Sequence, residues 1–176
     1  RRRVKEVWVA TREADDPRFD EHVDDLAELA ESVRVPVREV ARKRLLAEAR
    51  TESPQGVLAF AAPLPEFAFD DLLSRADPQG RPPFLVAVDG VTDPGNLGAL
   101  LRSAECAGAT GVVLPRHRAV HVTPTVTKTA AGAVEHLPMA IVGGLPTAIL
   151  EMQKAGIWVV GLDMDGTPIH EADLPA

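Results

Sequence analysis

From residue 84 onward, apolar runs alternate with segments of helical period. Residues 84–89, 111–115, 138–142 and 157–163 read as strands, and 96–107, about 124–134 and 145–155 as helices. Such alternation predicts a parallel sheet with right-handed crossovers. The first third follows a looser version of the pattern. Residues 4–10, VKEVWVA, alternate imperfectly and read as a strand. Residues 20–33 set Val23, Leu26, Ala27, Leu29 and Ala30 on one stripe among carboxylates, as in an amphipathic surface helix. Residues 35–37 are extended, because the residue before Pro36 avoids the helical region. Residues 38–49 read as a helix with Arg38 and Arg42 one turn apart, and 56–62 as a buried strand. This predicts a small α/β domain over residues 1–62, a proline-rich linker over 63–82 with a weak helical patch at 70–73, and a second α/β domain over 83–176.

The clearest stretch is 86–115, VAVDGVTDPGNLGALLRSAECAGATGVVLP. Its helix puts Leu97, Leu100, Leu101 and Ala104 on one face and Arg102 nearly opposite. Asp93, Pro94, Gly95 and Asn96 fall where strand gives way to helix, the crevice in which open α/β sheets hold ligands. Two readings of the residues stand side by side. Asn96 and Arg102 meet a ligand, or Asn96 caps the helix and Arg102 is a solvated charge.

The run DGVTDPGNLGALLRSAECAGATGVVLP closely resembles the first motif of the SpoU (TrmH-like) branch of the SPOUT superfamily. The matching letters are Asp89, Asp93, Pro94, Asn96, Gly98, Arg102, Ala104, Gly108 and Pro115. KTAAGAVEHLP at 128–138 and GLDMDG at 161–166 look like the family's next segments. The resemblance implies an RNA ribose 2'-O-methyltransferase that uses S-adenosylmethionine. It also implies a SPOUT-type α/β knot methyltransferase domain preceded by a small substrate-binding domain resembling a ribosomal protein.

On that resemblance Asn96 and Arg102 are the catalytic candidates. Gly161, Leu162 and Asp163 form part of the cofactor site, and Arg38, Arg42, Arg44 and Lys128 are RNA contacts. The partners implied are rRNA or tRNA and a second copy in a homodimer, across which the arginine acts. Two departures qualify the match. Proline stands at position 54, where the family commonly has histidine in its turn. The glycine-rich loop with a glutamate and the serine/asparagine stretch that complete the family's knot do not follow Gly166, so the knot-forming part is expected to be absent from this chain. The alternative function is a non-catalytic RNA-binding or assembly module on a truncated methyltransferase fold; an unrelated doubly wound enzyme is a third.

Composition adjusts this picture. The 176 residues are 45% hydrophobic, enough for a globular core. The net charge of −7 argues against a generic polyanion binder, but its distribution softens the objection. Arg1, Arg2, Arg3, Lys5 and Arg12 oppose only Glu6, and residues 34–50 hold six basic residues against Glu39 and Glu48, whereas 13–31 carry nine acids. The single cysteine, Cys106, excludes an internal disulfide and suits a reducing compartment. The expected location is cytoplasmic, with no membrane span. Neither a GxGxxG after the first regular strand nor a GxxxxGK[ST] occurs, which weighs against dinucleotide and NTPase folds. His22, His117, His121, His136 and His170 lack metal-ligand spacing, so no metal is expected. Cys106 reads as a small packing residue and Glu135 as a solvated helix-end carboxylate.

Overall fold

The computed structural model describes residues 2–11, 22–49, 55–168, 170 and 171. Arg1, Arg12, Arg50, Pro54 and most of the acidic stretch ahead of the first helix lie outside the described residues. The elements are β1 (Val4–Ala10), α1 (His22–Ser32), β2 (Val37–Val40), α2 (Arg42–Glu48), β3 (Val57–Ala61), α3 (Phe69–Leu73), β4 (Leu85–Ala87), α4 (Pro94–Cys106), β5 (Gly111–Pro115), α5 (Pro124–Thr129), a 3-10 turn (Ala133–Glu135), β6 (Met139–Val142) and α6 (Leu145–Lys154). Two compact units result. One comprises Arg1–Pro65, Asp93–Arg102 and His121–His136, the other Glu66–Thr92, Ser103–Val120 and Leu137–Ala176.

In the first unit a three-stranded sheet runs β2-β1-β3, with β2 parallel and β3 antiparallel to β1. Successive β1 side chains point to opposite faces, and both faces are apolar. Val7 and Val9 pack with Val23 and Ala30 of α1, while Trp8 and Ala10 pack with Val40, Leu45 and Ala49 on the α2 side. The stripe expected on α1 is narrower than its letters, for Leu26 and Leu29 are exposed.

Arg38 belongs to β2 rather than to a helix. It pairs in register with Trp8, and this ladder occupies residues 37–40, so α2 starts only at Arg42 and the expected Arg38–Arg42 helical turn does not exist. The predicted helix over 124–134 is likewise broken. It is interrupted after Thr129, and Gly132 at φ 93 opens the 3-10 turn.

The second unit holds the parallel sheet β4-β5-β6. The strand β5 is buried along its whole length, as its unbroken apolar run demands. Buried Thr110 joins the start of β5 to the approach of β4, accepting from Phe84 N at 3.0 Å and lying 3.1 Å from Phe84 O. The core gathers Leu72, Val113, Ala140, Val142, Leu145, Ala148 and Met152. Leu72 is fully buried, so the stretch expected to be a linker supplies a core residue through α3.

Residues 157–163 are not a strand. Ile157 and Val159 pack on this core, but Trp158 and Val160 face outward. The alternation is that of an extended chain, and among the described residues it has no ladder partner.

Candidate active site

The helix α4 is fixed at its start by its own sequence. Asp93 is the cap. Its Oδ1 accepts from Asn96 N at 2.7 Å, Pro94 takes the first helical position, and Leu97 N donates to Asp93 O at 3.1 Å. Asn96 therefore does not cap the helix, as one sequence reading had it; it receives the cap, and its exposed side chain is left for other work. A side chain at Gly95 would approach Asp93 Oδ1 to 3.1 Å, so the small residue there keeps the cap unobstructed.

Leu97, Leu101 and Ala104 are buried, whereas Leu100 is 40% exposed. Leu100 thus leaves the expected stripe, because successive helical positions rotate it to the edge of the buried face. Arg102 is exposed, as its position opposite that stripe predicts, and makes no hydrogen bond or ion pair among the described residues. It does not bond to Asn96; six positions apart, the two leave different sides of the helix.

Gly98, one turn before Arg102, lets a neighbouring helix approach α4 closely. A Cβ at position 98 would stand 1.9 Å from Thr129 Oγ1, 2.7 Å from Thr129 Cβ and 3.0 Å from Ala130 N. The last turn of α5 is thus seated against the backbone of α4. Arg102 sits one turn further along the side of α4 that bears Gly98, and Lys128, exposed in the last turn of α5, is next in sequence to Thr129. Thr129 Oγ1 lies 3.0 Å from Thr125 O and 3.2 Å from Val126 O, which holds its side chain over α5. Thr123 caps the other end of α5, its Oγ1 accepting from Val126 N at 3.3 Å. Two capped helices in close contact therefore present Arg102 and Lys128 to solvent.

Glu135 is not the solvated carboxylate expected. Its Oε1 accepts from Arg2 Nε at 2.7 Å and also pairs with Arg2 Nη2, and its Oε2 accepts from Arg2 N at 3.2 Å. These bonds hold the Glu135 carboxyl below the ordinary glutamate range, chiefly through the side-chain hydrogen bond from Arg2.

The proposed RNA contacts fall into separate groups. On the α2 side of the first unit's sheet, the Arg44 guanidinium lies 5.0 Å from the centre of the Trp8 ring, which also meets Phe60 edge-on at 4.9 Å. Arg38 is exposed at the register position opposite Trp8, and Arg42, half-buried, opens α2. Trp8 Nε1 is buried without a hydrogen-bond partner among the described residues.

In the second unit Gly161, Leu162 and Asp163 are all exposed, Leu162 at 83%. Asp163 Oδ1 accepts from Asp165 N at 3.1 Å and rounds off the chain there. Cys106 is exposed at the end of α4, so it is not a packing residue. Among the described residues no cluster of histidine, cysteine or carboxylates could hold a metal ion, and no helix is long and apolar enough to cross a membrane.

Two family models match. The SpoU rRNA methylase family covers residues 83–176, and the RNA 2'-O ribose methyltransferase substrate-binding family covers 1–67. An uncharacterized tRNA/rRNA methyltransferase of Synechocystis, slr0955, is 36% identical over 98% of this chain and 44% of its own length. YacO of Bacillus subtilis, a TrmH-family tRNA/rRNA methyltransferase by putative assignment, is 41% identical over 77% of this chain and 54% of its own length. The 23S rRNA (guanosine-2'-O-)-methyltransferase RlmB of Shewanella oneidensis is 35% identical over 98% of this chain and 68% of its own.

The chain thus spans about half the length of the first of these relatives. Among solved structures, a TrmH-family protein from Porphyromonas gingivalis superposes with a TM-score of 0.68 at 22% identity, covering 99% of this chain and 61% of that one. The SpoU methyltransferase AviRb of Streptomyces viridochromogenes, in complex with AdoMet, gives 0.64 at 23%, covering 88% and 55%. These likenesses carry the fold alone, an α/β arrangement shared with both structures. With the methylase model matched over more than half its residues, the chain belongs to the SpoU rRNA methylase family.

Proposed function

We propose that this protein transfers a methyl group from S-adenosylmethionine to a ribose 2'-hydroxyl in structured RNA, ribosomal or transfer. The observation that carries the reading is the succession of an RNA-substrate-binding model and a methylase model along one chain, with Arg102 exposed on a capped and tightly seated helix.

The donor supplies an electrophilic methyl group on a sulfonium. Gly161, Leu162 and Asp163 fit part of its place. The exposed Leu162 side chain offers an apolar surface to an adenine ring, and the neighbouring backbone, outside any ladder among the described residues, has hydrogen-bonding groups to give. Everything else is the work of the chain's own side chains. A guanidinium is always protonated, so Arg102 is not the base; it clamps a nucleotide phosphate through its planar fork and stabilises negative charge developing on the 2'-oxygen, while the hydroxyl proton leaves to solvent as the O–C bond forms and the donor's S–C bond breaks. Asn96, its backbone fixed by Asp93, holds the motif loop. Lys128 adds a phosphate contact beside Arg102. Arg38, Arg42 and Arg44 grip RNA on the domain spanning residues 1–62, joined by the 63–82 stretch to the methylase domain. The protein acts as a homodimer in the cytoplasm, with Arg102 serving the partner's site.

The experiment is transfer of labelled methyl from S-adenosylmethionine to 23S rRNA and tRNA transcripts, with nuclease digestion to identify 2'-O-methylnucleosides. Ribose methylation that falls with Arg102→Ala is the expected result. RNA binding without any methyl transfer would make the protein a non-catalytic binding module instead.

A further inference from the structure

At the amino-terminal ends of β1 and β2, in the first unit, an open groove of about 690 Å³ is lined by Arg3, Val4, Lys5, Val33, Arg34, Val35 and Pro36. We infer that this groove is a second phosphate-binding site, where Arg3, Lys5 and Arg34 take successive phosphates of the RNA backbone. The inference rests on the reading that the protein binds RNA.

Three observations support it. All three cations are exposed, and among the described residues none forms an ion pair. In a chain of net charge −7, three cations around one concavity, without an ion-pair partner among the described residues, concentrate positive charge where a polyanion can bind.

Arg34, moreover, is held where an arginine is disfavoured. It has φ 60 just past the end of α1, with its N–H donating to Glu31 O at 2.9 Å and Val35 N donating to Ala30 O at 2.8 Å. This is the helix-ending position that glycine usually fills, and a non-glycine residue there bears backbone strain that the surrounding structure must hold. The backbone there sets Arg34 on the rim of the groove, which it lines.

The groove also lies on an anchored part of the chain. Arg2, next to Arg3, is tied to Glu135 by three hydrogen bonds. Glu135 follows α5, whose last turn is seated on α4 at Gly98, one turn before Arg102. A phosphate bound at Arg3 is therefore held by the same unit that carries Arg102, whereas the α2 surface with Arg44 lies on the opposite face of that unit's sheet from α1.

The test measures affinity for a 23S rRNA transcript, and separately for tRNA, from 50 to 200 mM salt in the full chain. Each phosphate contact removed flattens the slope of log affinity against log salt by roughly 0.7 to 0.9. The Arg3→Gln/Lys5→Gln/Arg34→Gln variant should therefore flatten it by about 2 to 3.

Arg34→Gly is the control on folding. It should lose about one contact's worth of slope while melting no lower than the parent, since glycine accepts the left-handed backbone. Arg34→Lys should keep the slope. An unchanged slope in Arg34→Gly, or in the triple variant, overturns the groove even if Arg38→Gln/Arg42→Gln/Arg44→Gln shows that RNA binds elsewhere. A parent protein with no salt-dependent affinity for either RNA overturns the groove and the RNA reading together.

Discussion

Gly98→Ala is the most direct test of the seat between α4 and α5. In an ordinary helix interior this change stabilises by about 1 kcal/mol, because alanine is the better helix former. Here the new methyl would sit 1.9 Å from Thr129 Oγ1 and 2.7 Å from Thr129 Cβ. The hydroxyl can rotate away, losing its 3.0 Å approach to Thr125 O. The Cβ cannot, and neither can Ala130 N at 3.0 Å, so the two helices must separate by about an ångström to reach ordinary contact distances. Overpacking of this kind costs about 1–3 kcal/mol, occasionally more. Backbone contacts on one side place this case at the upper end, and the net loss expected is about 1–2 kcal/mol after the propensity gain.

Urea unfolding followed by circular dichroism measures the loss. Gly98→Ala/Thr129→Ala should recover only part of it, since Cβ of residue 129 remains in place. Turnover is the second readout. Displacing α5 shifts Lys128 relative to Arg102, and a misplacement of about 1 Å can cost about 10² in rate, so methylation should fall even at temperatures where the variant is folded. A Gly98→Ala protein that is more stable than the parent and fully active would refute the close seat and the role given to it.

Three further outcomes are expected. Arg102→Ala should change stability by no more than about ±0.5 kcal/mol and lower turnover by roughly 10² to 10³; Arg102→Lys should rescue it only partly, and mixing Arg102→Ala chains with chains disabled in the donor site should restore some activity if the arginine crosses a dimer. Arg44→Ala should cost about 0.5–1 kcal/mol from the uncovered Trp8 face and flatten the salt dependence of RNA binding by about 0.7 to 0.9; a stability loss alone would make Arg44 a packing cation. Glu135 has its folded-state pKa lowered by Arg2, so its contribution is present above the unfolded glutamate value of about 4.3 and disappears as pH falls through the lower folded value. Thermal melts of the parent and Glu135→Gln should therefore differ at neutral pH and converge in acid, and a constant gap down to pH 2 would remove the ion pair from the explanation.

What the sequence disclosed, and what it withheld, follows from the range of the interactions. The strands at 111–115 and 138–142 and the helix at 145–155 were legible almost to the residue, because burial against a neighbouring layer writes its period locally. Arg38 has helical spacing to Arg42, and only its ladder with Trp8, thirty positions earlier, makes it a strand. Residues 157–163 have the alternation of a strand, but a strand exists only with a partner. At the candidate site, the exposure of Arg102 is legible from helical periodicity, and the Asp93-Pro94 pair before Asn96 is itself a cap signal. The reason for Gly98 could not be read, since it lies in Thr129. Nor could the Arg2–Glu135 pair, for no local pattern links residues 133 positions apart.

That last separation has a consequence for how the chain reaches its native state. The first unit is assembled from three pieces of sequence, Arg1–Pro65, Asp93–Arg102 and His121–His136. During synthesis at about 5–20 residues per second, the arginine at position 2 waits roughly 7 to 27 s before Glu135 has been added. The β2-β1-β3 sheet can form meanwhile, but the seat for α5 cannot close until the intervening chain has emerged and folded back. Loop closure on this scale precedes its energetic return. The rate-limiting event in folding should therefore be docking of residues 121–136, with refolding faster for the isolated sheet than for the complete unit.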